Sequence, residues 1–376
     1  MDFNTTAGAA ASGTRFEGGD PRVDRRLATW VNTLTAPVNT SATASSYGPS
    51  MQLTADPKPN LEPIARRPMS NVNNNGNNNG NTVPNPNASS RTSGNANANS
   101  VALVVGATGK TGRRVVERLR ARGIETREAS RSGSTRFDWN DRGTWAPALE
   151  GANLAYVTYS PDLAVPEAVP AIRAFARLAA EREIERLVLL SGRGEEEAQR
   201  CEEIVRETNP RWTIVRASWF SQNFSEAFLL EPLRHGVLAL PAGEIPEPFV
   251  DANDIADVAS RALAEEGHEG EIYEVTGPRL LTFAQATQEI AAATKRDIRY
   301  EQVPVDVFVE GMRGHGIPSE IVSLTRYLFE TVLDGRNAQT ADGVRRALGR
   351  APRDFSEYVR NTASTGVWAE PASAAV

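Results

Sequence analysis

A doubly wound α/β fold with a parallel sheet is the class this sequence predicts, on three observations. A short apolar run, VALVV at 101–105, breaks into glycine at Gly106, Gly109 and Gly112, then restarts with helical spacing as RRVVERLRARG. Short apolar runs and amphipathic stretches alternate from there to Ser218, and strands separated by helices imply right-handed crossovers and parallel neighbours. The runs VALVV and LVLL are almost unbroken by polar residues, as expected of strands covered on both faces.

Each element follows from its own pattern. VALVV is the first strand and 111–122 the first helix. IETREAS (124–130) alternates as a second strand, and TWAPALEG, after FDWND, reads as a short helix. NLAYVTY (153–159) is a strand, VPEAVPAIRAFARLAAER a long helix with a bend expected near Pro170, and RLVLLSG (186–192) a strongly apolar strand. A helix over 195–207 and the strand WTIVRAS complete the regular part. Beyond Ser218 the pattern loosens, and a smaller substrate lobe is expected, mainly from 219–250 and 280–368. PFVDANDIADVASRAL reads as a strand end and a helix whose free N–H groups are capped by Asn253 or Asp254. EIYEVTGP is a further strand, ending in Gly277.

The first hundred of the 376 residues differ in kind. NVNNNGNNNGNTVPNPN and GNANANS have nothing to bury, so residues 1–99 are expected to be a disordered tail. PRVDRRLATWVNTL (21–34) is an island in it that could form a transient amphipathic helix. Residues 369–376 are expected to be a C-terminal tail. What remains, about 275 residues, suffices for one large α/β domain with a lobe. That part carries 33 basic and 41 acidic residues, which is not the balance of a nucleic-acid surface. One cysteine, Cys201, excludes an internal disulfide and fits a reducing compartment. No apolar run approaches the ~18 residues of a membrane span, and MDFNTTAGAAASG lacks the pattern of a signal peptide. A cytoplasmic protein is expected. His235, His268 and His315 have no metal spacing, so no metal site is expected, and no Ser-His-Asp set can be assembled.

A strand that breaks into glycines and restarts as a helix aims free N–H groups and a helix dipole at one spot, which suits a pyrophosphate. The candidates there are Gly106, Thr108, Gly109, Lys110, Thr111 and Gly112. The spacing is G-x-x-G-x-x-G rather than G-x-G-x-x-G. GKT at 109–111 does not make a nucleoside-triphosphate loop, because Val104 stands where the first glycine would be needed. Cofactor choice depends on the end of the second strand. An acid there would bind both ribose hydroxyls. Here EASRSGS places Arg131 with Ser130 and Ser132 at the turn, and a guanidinium with hydroxyls suits a 2′-phosphate. Glu128 lies three residues earlier. NADP(H) is favoured over NAD(H).

GATGKTG at 106–112, VLLSG at 188–192, IVRASWFSQNF at 214–224, PFVDANDIADVA at 248–259 and GRAPRDFSEYVRNTASTGVW at 349–368 resemble the NmrA-like branch of the atypical short-chain dehydrogenases/reductases. FDWND and the WFxxNF pattern are similar to a subgroup that includes festuclavine dehydrogenases and bacterial NAD(P)H-binding proteins. The resemblance spans 101–368 and implies a Rossmann-type domain with a C-terminal substrate lobe. It also implies that Asp138 lies near the adenine edge, although a turn role suits that residue as well. The family holds both reductases and proteins that bind NAD(P) only to sense redox state, acting through a protein partner.

One departure matters. The usual Tyr-x-x-x-Lys should follow VLLSG, but GRGEEEAQRCEEIVRE contains neither residue. Arg200 sits near the place of the lysine and cannot give up a proton. Tyr159 and Ser191, at strand ends, are the other catalytic candidates and also face the expected cofactor. Trp219, Phe220, Asn223 and Phe224 would wall a substrate pocket, or the aromatics would be core. The function expected is an NAD(P)H-dependent oxidoreductase passing hydride directly to a small activated electrophile: a quinone, enone or imine. The alternative is a non-catalytic NAD(P)-sensing regulator.

Overall fold

The apolar runs of the sequence become the inner strands of a seven-stranded sheet. The computed structural model describes residues 100–371. The expected tail at 1–99, its island at 21–34 and residues 372–376 lie outside the described residues. Along the sheet the strands are β3 (Thr135–Arg136), β2 (Glu125–Ser130), β1 (Val101–Val105), β4 (Leu154–Val157), β5 (Arg186–Gly192), β6 (Trp212–Ala217) and β8 (Glu271–Val275). Every neighbouring pair is parallel. A separate parallel pair, β7 (Val237–Leu240) with β9 (Arg299–Gln302), belongs to the C-terminal part.

The strand order reverses between β1 and β4. In open parallel sheets the crevice at such a reversal, beyond the carboxyl ends of the strands, is where ligands bind. The glycine turn follows β1 directly, so it opens onto that crevice.

Strand residues alternate between faces. Leu103, Val105, Leu187 and Leu189 pack under α2 (Trp145–Leu149), α3 (Ala168–Glu181) and α4 (Glu196–Thr208), with Phe175 and Trp145. Ala102, Val104, Val188 and Val215 pack on the other face with α1 (Gly112–Ala121), α7 (Ala252–Ala264) and α11 (Gly343–Leu348). A third core lies in the C-terminal part. It joins α5 (Asn223–Glu226), α6 (Leu230–Arg234), α8 (Phe283–Thr294), α9 (Val305–Gly314), α10 (Ser319–Tyr327) and α12 (Phe355–Ala363) around Phe224, Phe249, Phe283 and Phe355. The rings of Phe249 and Phe283 meet edge to face at 5.0 Å. Among the described residues no helix is long and apolar enough to cross a membrane.

Two local expectations are corrected. Pro170 does not bend α3, because the helix begins at Ala168 and places the proline in its first turn, where a missing N–H costs nothing. The cap of α7 is neither Asn253 nor Asp254 but Asp251, whose carboxylate accepts from the Asn253 N–H (2.7 Å). Asp254 is fully buried inside the helix, where Arg350 and Arg353 pair with it.

Candidate dinucleotide and substrate site

The turn after β1 is built by its glycines for separate reasons. Gly106 has φ +73°, and a Cβ there would lie 2.5 Å from Thr158 Oγ1. A Cβ on Gly112 would overlap the Gly106 carbonyl, so the helix can sit on the turn only as glycine. Gly109 has ordinary φ and lies exposed beside Thr108. Its N–H closes the turn onto the Gly106 carbonyl (2.9 Å), and the N–H groups of Gly106 and Ala107 tie it to Ala129 at the end of β2.

The N-terminus of α1 is electrically open. Thr111 stands at the cap position without a side-chain cap bond, and the first turn contains no acid. Lys110, Arg113 and Arg114 surround it instead. Arg113 and Arg114 share Glu226 of α5 (2.5 and 2.7 Å), and Arg114 also donates to the Lys110 carbonyl (2.6 Å). Burial pushes the Lys110 ammonium below its ordinary value; Glu226 opposes this, and the two arginines add to it. Burial would raise Glu226, but hydrogen bonds from Arg114 and Arg113 outweigh it and hold the carboxylate low. Free N–H groups, a helix dipole and three cations against one acid form a cradle for a diphosphate.

At the end of β2, Arg131 and Ser132 are exposed, and Arg131 has no hydrogen-bond or ion-pair partner among the described residues. Ser130 Oγ is buried without a partner. Glu128 is engaged by Arg120 and turned to the surface. Asp138 holds its own loop together: its carboxylate accepts from the Asn140 N–H (3.0 Å) and its carbonyl from Trp145 Nε1 (2.8 Å). An orphaned hydroxyl, a free guanidinium and a glycine turn ringed by cations could hold a dinucleotide.

The other candidates lie in several surroundings. Ser191 is buried on the α4 face of the sheet, and its hydroxyl donates to Glu202 Oε1 (2.6 Å), which Arg216 also binds. The hydroxyl is thus engaged in an internal network. Arg200 is exposed on α4 and pairs with Glu196 (2.5 Å). Tyr159 packs on Trp139 (4.9 Å between rings). Burial, Glu167 and Cys201 raise its phenol, the wrong direction for a ready proton donor. Phe224 is core, fully buried among Phe249, Phe283 and Phe355, with its carbonyl accepting from Trp368 Nε1 (2.7 Å). Trp219 and Phe220 are partly exposed, the first against Phe283 and Phe329, the second paired with Val250. Asn223 opens α5 half-exposed. The polar anchor of this segment is its neighbour Gln222, which donates to Asp251 (2.8 Å) and accepts from the Ala252 N–H (2.7 Å). Among the described residues no group of acids, histidines and cysteine could hold a metal.

No family model matches the chain. An NAD(P)H azoreductase of Xenophilus azovorans is 28% identical over 285 residues, covering 69% of this chain and 96% of the relative. An agroclavine dehydrogenase of Claviceps fusiformis is 24% identical over 284 residues, covering 71% and 98%. Among solved structures, a Citrobacter sp. triphenylmethane reductase complexed with NADP(H) superposes with TM-score 0.58 at 19% identity, covering 70% of this chain and 99% of that one. NmrA, a negative transcriptional regulator, superposes with TM-score 0.54 at 20% identity over 71% and 96%. The chain is thus similar to NAD(P)H-dependent oxidoreductases in sequence and shares the fold of NmrA and the triphenylmethane reductase. The shared fold begins at β1, and in the place of the expected Tyr-x-x-x-Lys stands an ordered helix, α4, whose inward residues are Ala198, Cys201, Glu202, Ile204 and Val205.

Proposed function

We propose that the protein is an NAD(P)H-dependent reductase that passes hydride directly to a small activated electrophile, such as a quinone, enone or imine. The observation that carries this reading is the open N-terminus of α1 over the glycine turn, at the reversal of strand order. There Thr108, Gly109, Lys110, Thr111 and Gly112 would hold the diphosphate, with Gly106 shaping the turn. Ser130, Arg131 and Ser132 would take a 2′-phosphate, which favours NADP(H), and Asp138 would border the adenine. A bound reduced nicotinamide supplies the hydride. The ends of β4 and β5 would orient it, and Trp219, Phe220 and Asn223 would border the substrate and exclude water. The names of relatives support the reading: an azoreductase, a triphenylmethane reductase and an NADPH-dependent quinone oxidoreductase from Escherichia coli.

Oxidation of NADPH measured against a panel of quinones, enones and imines tests it, and saturable turnover with at least one class is expected. The absence of a Tyr-x-x-x-Lys favours a second reading, an NAD(P) sensor acting through a protein partner. Tight dinucleotide binding with no turnover across the panel would select that one.

A further inference from the structure

Asp162 and Glu195 stand at the carboxyl ends of adjacent strands, the first after β4 and the second after β5. Glu195 is 7% exposed, and its carboxyl folds back over Gly192, where a Cβ would overlap it. Its Oε2 meets no donor among the described residues. Asp162 accepts from the Ala164 N–H (2.9 Å) and its carboxyl hydrogen-bonds that of Glu195. No arginine or lysine among the described residues pairs with either acid. Glu197 and Glu202 of α4 add negative charge toward Glu195. Tyr327 of α10, with Arg336 nearby, lies near Glu195 from the C-terminal part and hydrogen-bonds the Glu196 backbone. Two acids in contact without a cation do not both ionise at rest, because each charge disfavours the other. A proton between them is the one element that can join them.

We propose that Asp162 and Glu195 share one proton and deliver it to the substrate as hydride arrives, the role left open by the missing tyrosine and lysine. This rests on the reductase reading above. Hydride forms a new bond at the electrophilic carbon, and the displaced electron pair moves to the carbonyl oxygen or the imine nitrogen. That atom takes the shared proton, breaking a carboxyl O–H bond. The pair is left doubly charged and regains a proton from water as product leaves. Burial and the Asp162 charge hold Glu195 well above the ordinary carboxyl range, and burial raises Asp162 as well, so the pair is protonated where a lone carboxyl would not be.

The test compares wild type with Glu195→Gln and Asp162→Asn on two acceptors. A neutral naphthoquinone needs a proton after hydride; a triarylmethyl cation dye becomes neutral on hydride alone. General acid catalysis contributes about 10²–10⁴-fold, so the quinone-to-dye turnover ratio should fall at least a hundredfold in both variants. A ligand-free readout is independent of turnover. A carboxyl raised on folding stabilises fully below its ordinary value of 4.5 and loses that contribution as pH rises through the folded value. The fall of the wild-type thermal midpoint with rising pH should therefore flatten in each variant. An unchanged ratio, or an unchanged pH slope, overturns the proton-sharing pair while leaving the reductase reading in place. A wild type that reduces none of the quinones, enones and imines of the panel removes the reductase reading, and proton delivery by this pair with it.

Discussion

Gly109 and Gly112 are three residues apart in one turn, yet substitution should affect them differently. A side chain on Gly112 meets backbone at Gly106 and Ala107, so Gly112→Ala should lower the thermal midpoint and dinucleotide affinity together. Gly109 is exposed with ordinary φ, and a Cβ there lies 3.1 Å from one carbonyl. Gly109→Val should keep the fold and lose affinity, because the new side chain fills the space above the helix N-terminus. Titration of NADPH fluorescence reads this, and unchanged affinity in a folded Gly109→Val protein would remove the phosphate assignment. Arg131 gives a sharper case. A charge-assisted bond contributes roughly 1.5–3 kcal/mol, and about 1.4 kcal/mol is tenfold. Arg131→Ala should therefore weaken NADPH about 10- to 100-fold and leave NADH nearly unchanged; equal weakening of both would assign Arg131 to a shared group. These residues were legible in the sequence because backbone chemistry in a turn is local. Asp162, Glu195 and Gln222 were not. Their partners lie far along the chain and meet only because strands or loops are placed side by side.

At the scale of elements, the strands were read from apolar runs because both faces of the sheet are covered, and that burial leaves a continuous signature. Short pieces such as β3, β7 and β9 leave no such mark. Helix α7 shows where local reading stops. Any of Asp251, Asn253 and Asp254 has the chemistry of a cap, and the choice depends on what lies outside the helix. Gln222 reaches Asp251, and Arg350 with Arg353 reaches Asp254. Asp254 is fully buried while Arg350 and Arg353 stay about a third exposed and also share Asp257. Asp254→Asn thus leaves two partly solvated cations with Asp257 alone and weakens the anchor of the segment leading into α12. Breaking a buried pair costs about 3–5 kcal/mol, and the partial exposure of the arginines points to the lower end. Urea unfolding should show the midpoint drop without a change in slope. A loss within about 0.5 kcal/mol, as for ordinary surface substitutions, would mean that the network adds little.

For the whole molecule, the important junction is the segment from Glu247 to Val250. Glu247 pairs backbone to backbone with Leu281 (2.9 and 3.0 Å), Phe249 belongs to the aromatic core of the C-terminal part, and Val250 belongs to the core under the sheet. Glu247 itself is fully buried, and neither carboxylate oxygen finds a hydrogen-bond donor among the described residues. Burial pushes its carboxyl up to about 7, with Arg193 opposing. Arg193 is occupied elsewhere: it donates to Ser218 Oγ (3.1 Å) and to the carbonyls of Asn337 and Gln339 (both 3.2 Å). The folded value lies above the ordinary 4.5, so the folded state binds the proton more tightly than the unfolded chain does. Stability from Glu247 is therefore complete below about pH 4.5 and is lost as pH rises through about 7. A shift of that size corresponds to about 3 kcal/mol. Glu247→Gln carries no charge at any pH. It should match wild type near pH 5 and exceed it by several degrees in thermal midpoint at pH 8, with the divergence centred in the window between. Parallel midpoints of the two proteins from pH 5 to 8 would mean that Glu247 meets solvent or a cation in solution, and that the junction between the two cores is looser than its buried carboxyl implies.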